Sequence, residues 1–123
     1  MGHVTTHVTI ANPGDSTVKS EVDALVDTGA TFTVVPRSLA NSLNLPIIGQ
    51  SGVRTTTGSL TLERASANIR INGKSDTHSV LVSDTLNDVL VGVITLEALS
   101  LTVDPTSGQL NEAEALLFYG GLP

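Results

Sequence analysis

The chain has 123 residues, enough for one domain with a real core and too few for two ordinary ones. Twelve acids against six bases leave a net charge of −6, which argues against a nucleic-acid backbone as partner, and no basic amphipathic stretch offers itself to a membrane surface. The absence of cysteine excludes disulfides, thiolate metal sites and thiol nucleophiles.

Apolar residues make up 40% of the chain but aromatics only 2%, so the core must be built from Val, Leu, Ile and Ala. That β-branched content, with 11 glycines, favours strands and turns. The start MGHVTTHVTI has neither a basic end nor an apolar core segment, and no run is long enough to span a bilayer. A cytoplasmic protein is therefore expected. Met1, Gly2 and Thr6 fit the loose myristoylation pattern, which is short enough to read as an ordinary start.

In chain order, His3 to Ile10 alternates: Val4, Thr6, Val8 and Ile10 share one face of a half-buried strand, His3, Thr5, His7 and Thr9 the other. Pro13-Gly14 punctuates a turn, and Val18 to Val26 returns as the second strand of a hairpin. Thr31 to Val35 is a short β-rich run. Pro36 to Leu43 reads as a helix with Pro36 in its first turn, Asn44 as a left-handed stop and Pro46 forbidding continuation. Two strands over residues 48–71 flank the small polar tip Thr55-Thr56-Thr57-Gly58-Ser59. Asn72-Gly73 is the strongest turn signal, followed by a strand from His78 to Val82. Val89 to Gly92 leads into a short helix over Val93–Leu99. Leu101–Val103 is a strand, Asp104–Gly108 a turn, and Gln109 to Tyr119 a last strand. The expectation is one mostly-β domain, residues 1–123, with two short helices.

The stretch that carries chemistry is ALVDTGA, Ala24 to Ala30. Three apolar residues run straight into a carboxylate, a hydroxyl and a glycine, and a carboxylate at the end of a buried strand is expensive unless something uses or satisfies it. Taken alone, Asp27 could be a turn residue capping nearby N–H groups. But ALVDTGATFTVVP is followed some sixty residues later by VLVGVITLEALSL. This order of strand, DTGA, strand, helix, hairpin, apolar pair, Gly and helix resembles the retropepsin-like aspartic proteases over nearly the whole chain. The Val103-Asp104-Pro105 turn resembles the single-domain prokaryotic members most.

The resemblance implies a retropepsin-like closed β-barrel or sandwich, homodimeric, acting as an aspartic endopeptidase on extended peptide or protein substrates with no cofactor and no metal. Two carboxylates sharing one proton can activate water and protonate the leaving group. The chain holds a single DTG, so the second carboxylate must come from a second copy. By resemblance Asp27 is the catalytic acid, Thr28 bonds across to the partner loop, and Gly29 brings its N–H close to the carboxylates. Ala30 leaves room for substrate. Thr56, Thr57, Gly58 and Ser59 form a flap over bound peptide, and Leu90 and Val91 pack beneath the active-site loop. Viral members often carry Asp directly after DTGA and Arg directly after the later Gly; here those positions are Thr31 and Val93, so both partners of that ion pair are absent together.

The alternative is a non-catalytic peptide-binding or dimerisation module on the same fold. His3, His7 and His78 lack metal-ligand spacing with carboxylates, and His3 and His7 read as an exposed strand face. Asp84 and Asp88, in SDTLND, lack the ligand series of a calcium loop and read as a solvated loop.

Overall fold

The structure, a computed structural model, describes residues 4–113. The first hairpin pairs β1 (Val4–Asn12) with β2 (Asp15–Val26). Its turn is closed by the Asn12 side chain, which accepts the Gly14 N–H at 2.8 Å. The same amide donates to the carbonyls of Leu43 and Asn44, so this turn also pins the end of the first helix. Then follow β3 (Val34–Pro36), α1 (Arg37–Ser42), β4 (Ile47–Thr55), β5 (Gly58–Ile71) and β6 (Lys74–Ser83). The last third holds β7 (Leu90–Val91), α2 (Val93–Ala98), β8 (Leu101–Val103) and β9 (Leu110–Glu112).

Seven strands run in the order β1-β2-β7-β3-β6-β5-β4, and β1 pairs again with β5, Thr9–Ala11 lying opposite Asn68–Arg70. Six strands therefore close into a ring, with β4 attached outside β5. Closure removes the free edges that make open sheets prone to mispairing. β7 is wedged between β2, which it meets in parallel, and β3, which it meets antiparallel. This places residues 90–92 between the two ends of the DTGA loop.

The ring is filled by Val8, Ile10, Val35, Ile69, Ile71, Val80, Val82 and Val91, all essentially inaccessible to solvent. Every one is β-branched, as the scarcity of aromatics requires, and each stabilises the fold by about 1.5–3 kcal/mol through burial. The elements follow the sequence pattern with local differences. The β-rich run after DTGA enters the sheet only at Val34, because the carbonyls of Ala30 and Thr31 are taken by the N–H groups of Val93 and Ile94. Pro36 ends β3 in an extended conformation and precedes α1 instead of opening it. Asn44 takes the expected left-handed backbone (φ 50°), and Asn72 and Gly73 both have positive φ, the signature of the tight hairpin turn. The strand expected from His78 begins earlier, at Lys74, since the Asn72-Gly73 turn starts the ladder at once. The last strand is seen as Leu110–Glu112. Gln109 and Ala113 fall outside this strand, and the expected span from residue 114 to Tyr119 lies outside the described residues, as do Met1, Gly2 and His3. Among the described residues no helix is long and apolar enough to cross a membrane.

His7 does lie on an exposed face, its ring nitrogens 2.9 Å from Glu21 and 3.3 Å from Asp23 on the neighbouring strand. The hydrogen bond to Glu21, then that to Asp23, raise the imidazole above its ordinary value of 6.5. A raised folded value means that the stabilisation is fully present below the unfolded value and is lost as pH rises through the folded one. The expected result is that His7→Gln lowers the melting temperature slightly at pH about 5.5 and leaves it unchanged at about 8.5, checked by thermal unfolding of both proteins.

Candidate active site

β2 ends at Val26, whose partner Val91 accepts the Asp27 N–H through its carbonyl at 2.9 Å. The chain then turns: the Ala30 N–H donates to the Asp27 carbonyl at 3.1 Å, and the Gly29 N–H donates to Asp27 Oδ1 at 2.8 Å. A carboxylate bonded by a backbone N–H from its own loop is held in one orientation. Asp27, Thr28 and Gly29 are all exposed in the single chain. The apolar strand before Asp27 suggests burial, but that strand stops one residue short of it, and the loop stands at the surface.

The loop is clamped from behind. The N–H groups of Val93 and Ile94 donate to the carbonyls of Ala30 and Thr31 at 2.8 and 2.9 Å. Thus the two positions where viral members often carry an ion pair, Thr31 and Val93, sit on segments joined here through backbone. Gly92 lies so close to the loop that a Cβ there would stand 2.4 Å from the Phe32 carbonyl oxygen and 2.9 Å from that of Ala30.

Asp27 forms part of the lining of an open cleft of about 1040 Å³. Its floor carries Asp27, Gly29, Ala30, Thr31 and Leu90. Its roof is the β4–β5 hairpin, from Gly52 to Thr56 and from Leu60 to Leu62. Residues 58–62 of β5 pair with β4 alone, while from Glu63 onward β5 also pairs with β6. The distal hairpin is therefore a free two-stranded ribbon projecting from the ring, the structure a mobile cover needs. Its turn, Thr56-Thr57, is organised by the Thr55 hydroxyl, which donates to the Gly58 carbonyl at 3.1 Å and accepts the Thr57 N–H at 3.3 Å.

Of the residues singled out from sequence, the cleft brings together Asp27, Gly29, Ala30, Thr56 and Leu90. Thr57, Gly58 and Ser59 lie at or just beyond the ribbon tip, and Val91 is fully buried beneath the loop, contributing its carbonyl. Sequence reasoning missed the far wall, Leu81 and Ser83 to Leu86. In SDTLND, Asp84 to Asp88 are exposed while Ser83 is buried, and the part from Ser83 to Leu86 faces the cleft and is anchored there: Arg37 Nε donates to Asp84 at 2.8 Å while its Nη1 bonds Glu63 on β5. The Arg37 hydrogen bond holds the Asp84 carboxyl below the ordinary carboxylate range. Leu60 and Leu86, among the few large exposed apolar side chains, both line this cleft, so its walls offer apolar surface to a ligand. Among the described residues no group of three or more His, Asp or Glu side chains is placed to hold a metal ion.

Residues 18–98 match the model of a family described as gag-polyprotein putative aspartyl protease, a span of about two thirds of the chain. The chain belongs to that family. It is an aspartic-type endopeptidase of retropepsin-like fold. Among solved structures it is similar to the EIAV protease complexed with the inhibitor HBY-793, at 22% identity and a TM-score of 0.65, with 94% of each chain covered. The solution structure of the simian foamy virus (mac) protease is similar at 19% identity and a TM-score of 0.56, covering 76% of this chain and 91% of that one. No curated protein matches it in sequence. The retropepsin-like fold accounts for the wedged β7, the DTGA loop and the hairpin that roofs the cleft.

Gly58 has φ +147°, a backbone conformation that side chains rarely adopt, although nothing lies within 4 Å of a Cβ built there. Gly58→Ala is therefore expected to strain the ribbon tip without a clash. It should lower kcat/KM by roughly tenfold and shift the melting temperature little, because the ribbon contributes little to global stability. Steady-state kinetics beside thermal unfolding check both halves.

Proposed function

We propose that residues 1–123 form a single protease domain, and that two copies meet about a two-fold axis which sets each Asp27 beside its twin. The pair binds an extended peptide under the two ribbons and holds one water between the carboxylates. One carboxylate takes a proton from the water as the water oxygen bonds the peptide carbonyl carbon, and the other, protonated carboxyl gives its proton to the carbonyl oxygen. The resulting tetrahedral diol collapses: the C–N bond breaks as one carboxyl gives its proton to the departing amine, and the other carboxylate takes a proton from a diol hydroxyl, which restores the singly protonated pair.

The roles follow from position. Asp27 is the acid and base. The Gly29 N–H orients its carboxylate, and Thr28, exposed at the loop crest, bonds across to the partner's loop. Ala30 and Leu90 bound the substrate backbone and its side chains, while Thr56, Thr57, Gly58 and Ser59 cover it, the ribbon excluding water from the reaction. Val91 holds Asp27 from beneath. No metal or organic cofactor enters the scheme.

The observation that carries this reading is the exposed Asp27 carboxylate, oriented by its own loop on the floor of a peptide-sized cleft roofed by a free ribbon. A lone exposed carboxylate is half of a site, and a second copy supplies the other half. Specific activity on a peptide library should fall on dilution in step with loss of the dimer, followed by solution mass at the same concentrations. Cleavage by a species that stays monomeric throughout would contradict the proposal. A stable dimer that binds peptides and cuts none would favour the non-catalytic module.

A further inference from the structure

We infer that His78 is a positioning residue for the catalytic loop, tied to it by a one-directional chain of hydrogen bonds through the core. The chain begins at the Gly92 N–H, which donates to Thr33 Oγ1 at 3.0 Å. Thr33 Oγ1 lies 2.5 Å from Thr95 Oγ1, and Thr95 Oγ1 lies 2.7 Å from His78 Nε2. His78 Nδ1 lies 2.9 Å from Asp76 Oδ2, two residues away on the same face of β6. Thr33 and Thr95 are fully buried, the imidazole is only 10% exposed, and the Asp76 side chain reaches solvent at 44%.

The donor inventory fixes the direction. A backbone N–H can only donate, and the outer carboxylate, when ionised, can only accept. Thr33 therefore accepts from Gly92 and gives its own proton to Thr95. Thr95 gives its proton to His78 Nε2, which must be bare, and His78 donates from Nδ1 to Asp76. Every group in the chain is then satisfied. If Nε2 carried the proton, Thr95 would accept it, and its own hydroxyl and that of Thr33 would have only each other to donate to. One of those two fully buried hydroxyl protons would then have no acceptor among the described residues.

What the chain holds is the junction between β7 and α2. The residue before Gly92 gives its carbonyl to the Asp27 N–H, and the two after it give their N–H groups to Ala30 and Thr31. The chain thus sets the seat of the loop, and a pair of carboxylates sharing a proton across two chains tolerates little displacement. None of these side chains lines the cleft, so His78 acts through Thr95 and Thr33 and not on substrate.

The test compares Thr95→Val and His78→Phe with the conservative Thr95→Ser and His78→Gln, which keep a hydroxyl and an acceptor respectively. The first pair should lower kcat by about ten- to a hundredfold with KM within about twofold of the parent, and the second pair should recover most of that loss. Amide exchange at Gly92 should be slow in the parent and faster in the first pair. Nitrogen-15 NMR of the imidazole in the unaltered protein should show Nε2 bare and Nδ1 protonated at neutral pH, a readout that needs no variant to fold. An Nε2-protonated neutral imidazole, or an unchanged kcat in a folded, dimeric Thr95→Val protein, would overturn the inference. Only the kinetic arm rests on the protease reading: if the parent cuts no peptide, that reading fails while the tautomer still decides the relay.

Discussion

Asp27→Asn is expected to abolish peptide hydrolysis, lowering kcat by roughly four to six orders of magnitude, the scale on which loss of an essential group acts in other hydrolases. Asparagine keeps the side-chain shape and can still accept the Gly29 N–H that now reaches Asp27 Oδ1 at 2.8 Å. It cannot take a proton from water. Because the substitution also removes like charge where the two copies meet, the dimer should persist, as solution mass would show. A mixing experiment sharpens the prediction. If parent and variant chains assort at random into two-fold dimers, an equal mixture holds the parent pair in about one quarter of its dimers. Activity per parent chain should then halve, and total activity should fit a square law in the parent fraction. A linear law would mean that each chain works alone.

Gly92→Ala should be the most damaging single methyl group in the chain. The added carbon would sit 2.4 and 2.5 Å from the carbonyl oxygen and carbon of Phe32, and both are backbone atoms. No rotamer change relieves such a contact. The relief must come from pushing β7 off the DTGA loop, which breaks the bond from the Asp27 N–H to the Val91 carbonyl and the two bonds from α2. A cost of about 4 kcal/mol or more is expected, at the far end of single-substitution effects. For a domain of this size that lowers the melting temperature by more than about 12 °C, and any folded remainder should lack activity. Differential scanning calorimetry and a peptide assay on the same sample would measure both. Gly52, by contrast, has nothing within 4 Å of a Cβ, and Gly52→Ala should leave the melting temperature nearly unchanged.

Much of this was legible in the residues. ALVDTGA and the later apolar pair with Gly lie on two segments that the fold wedges together, and these motifs with the order of elements around them carried the resemblance to the family. Short-range turn chemistry at Asn44 and at Asn72-Gly73 was also readable, because positive φ is written in local residue types. What could not be read is non-local. Nothing in Thr9–Ala11 announces that it pairs with Asn68–Arg70 and closes the ring. The apolar run before Asp27 suggested a buried acid, but sequence does not show that the strand stops at Val26 and leaves the acid at the surface. Thr33 looked like one more β-former and His78 like an isolated imidazole. Their link through Thr95 spans 62 positions and depends on how α2 lies against β6.

The wedge of β7 between β2 and β3 has a consequence in time. Asp27 is translated before its backbone anchor, Val91, and before the α2 groups that hold Ala30 and Thr31, each of which lies more than sixty residues downstream of its partner. Contacts of such sequence separation form late and slowly, since a long chain must first be drawn together. A nascent polypeptide that ends before that anchor would carry the DTG signature with no seat for it, and would be inert. The cutting centre should thus assemble only after the chain through α2 has emerged.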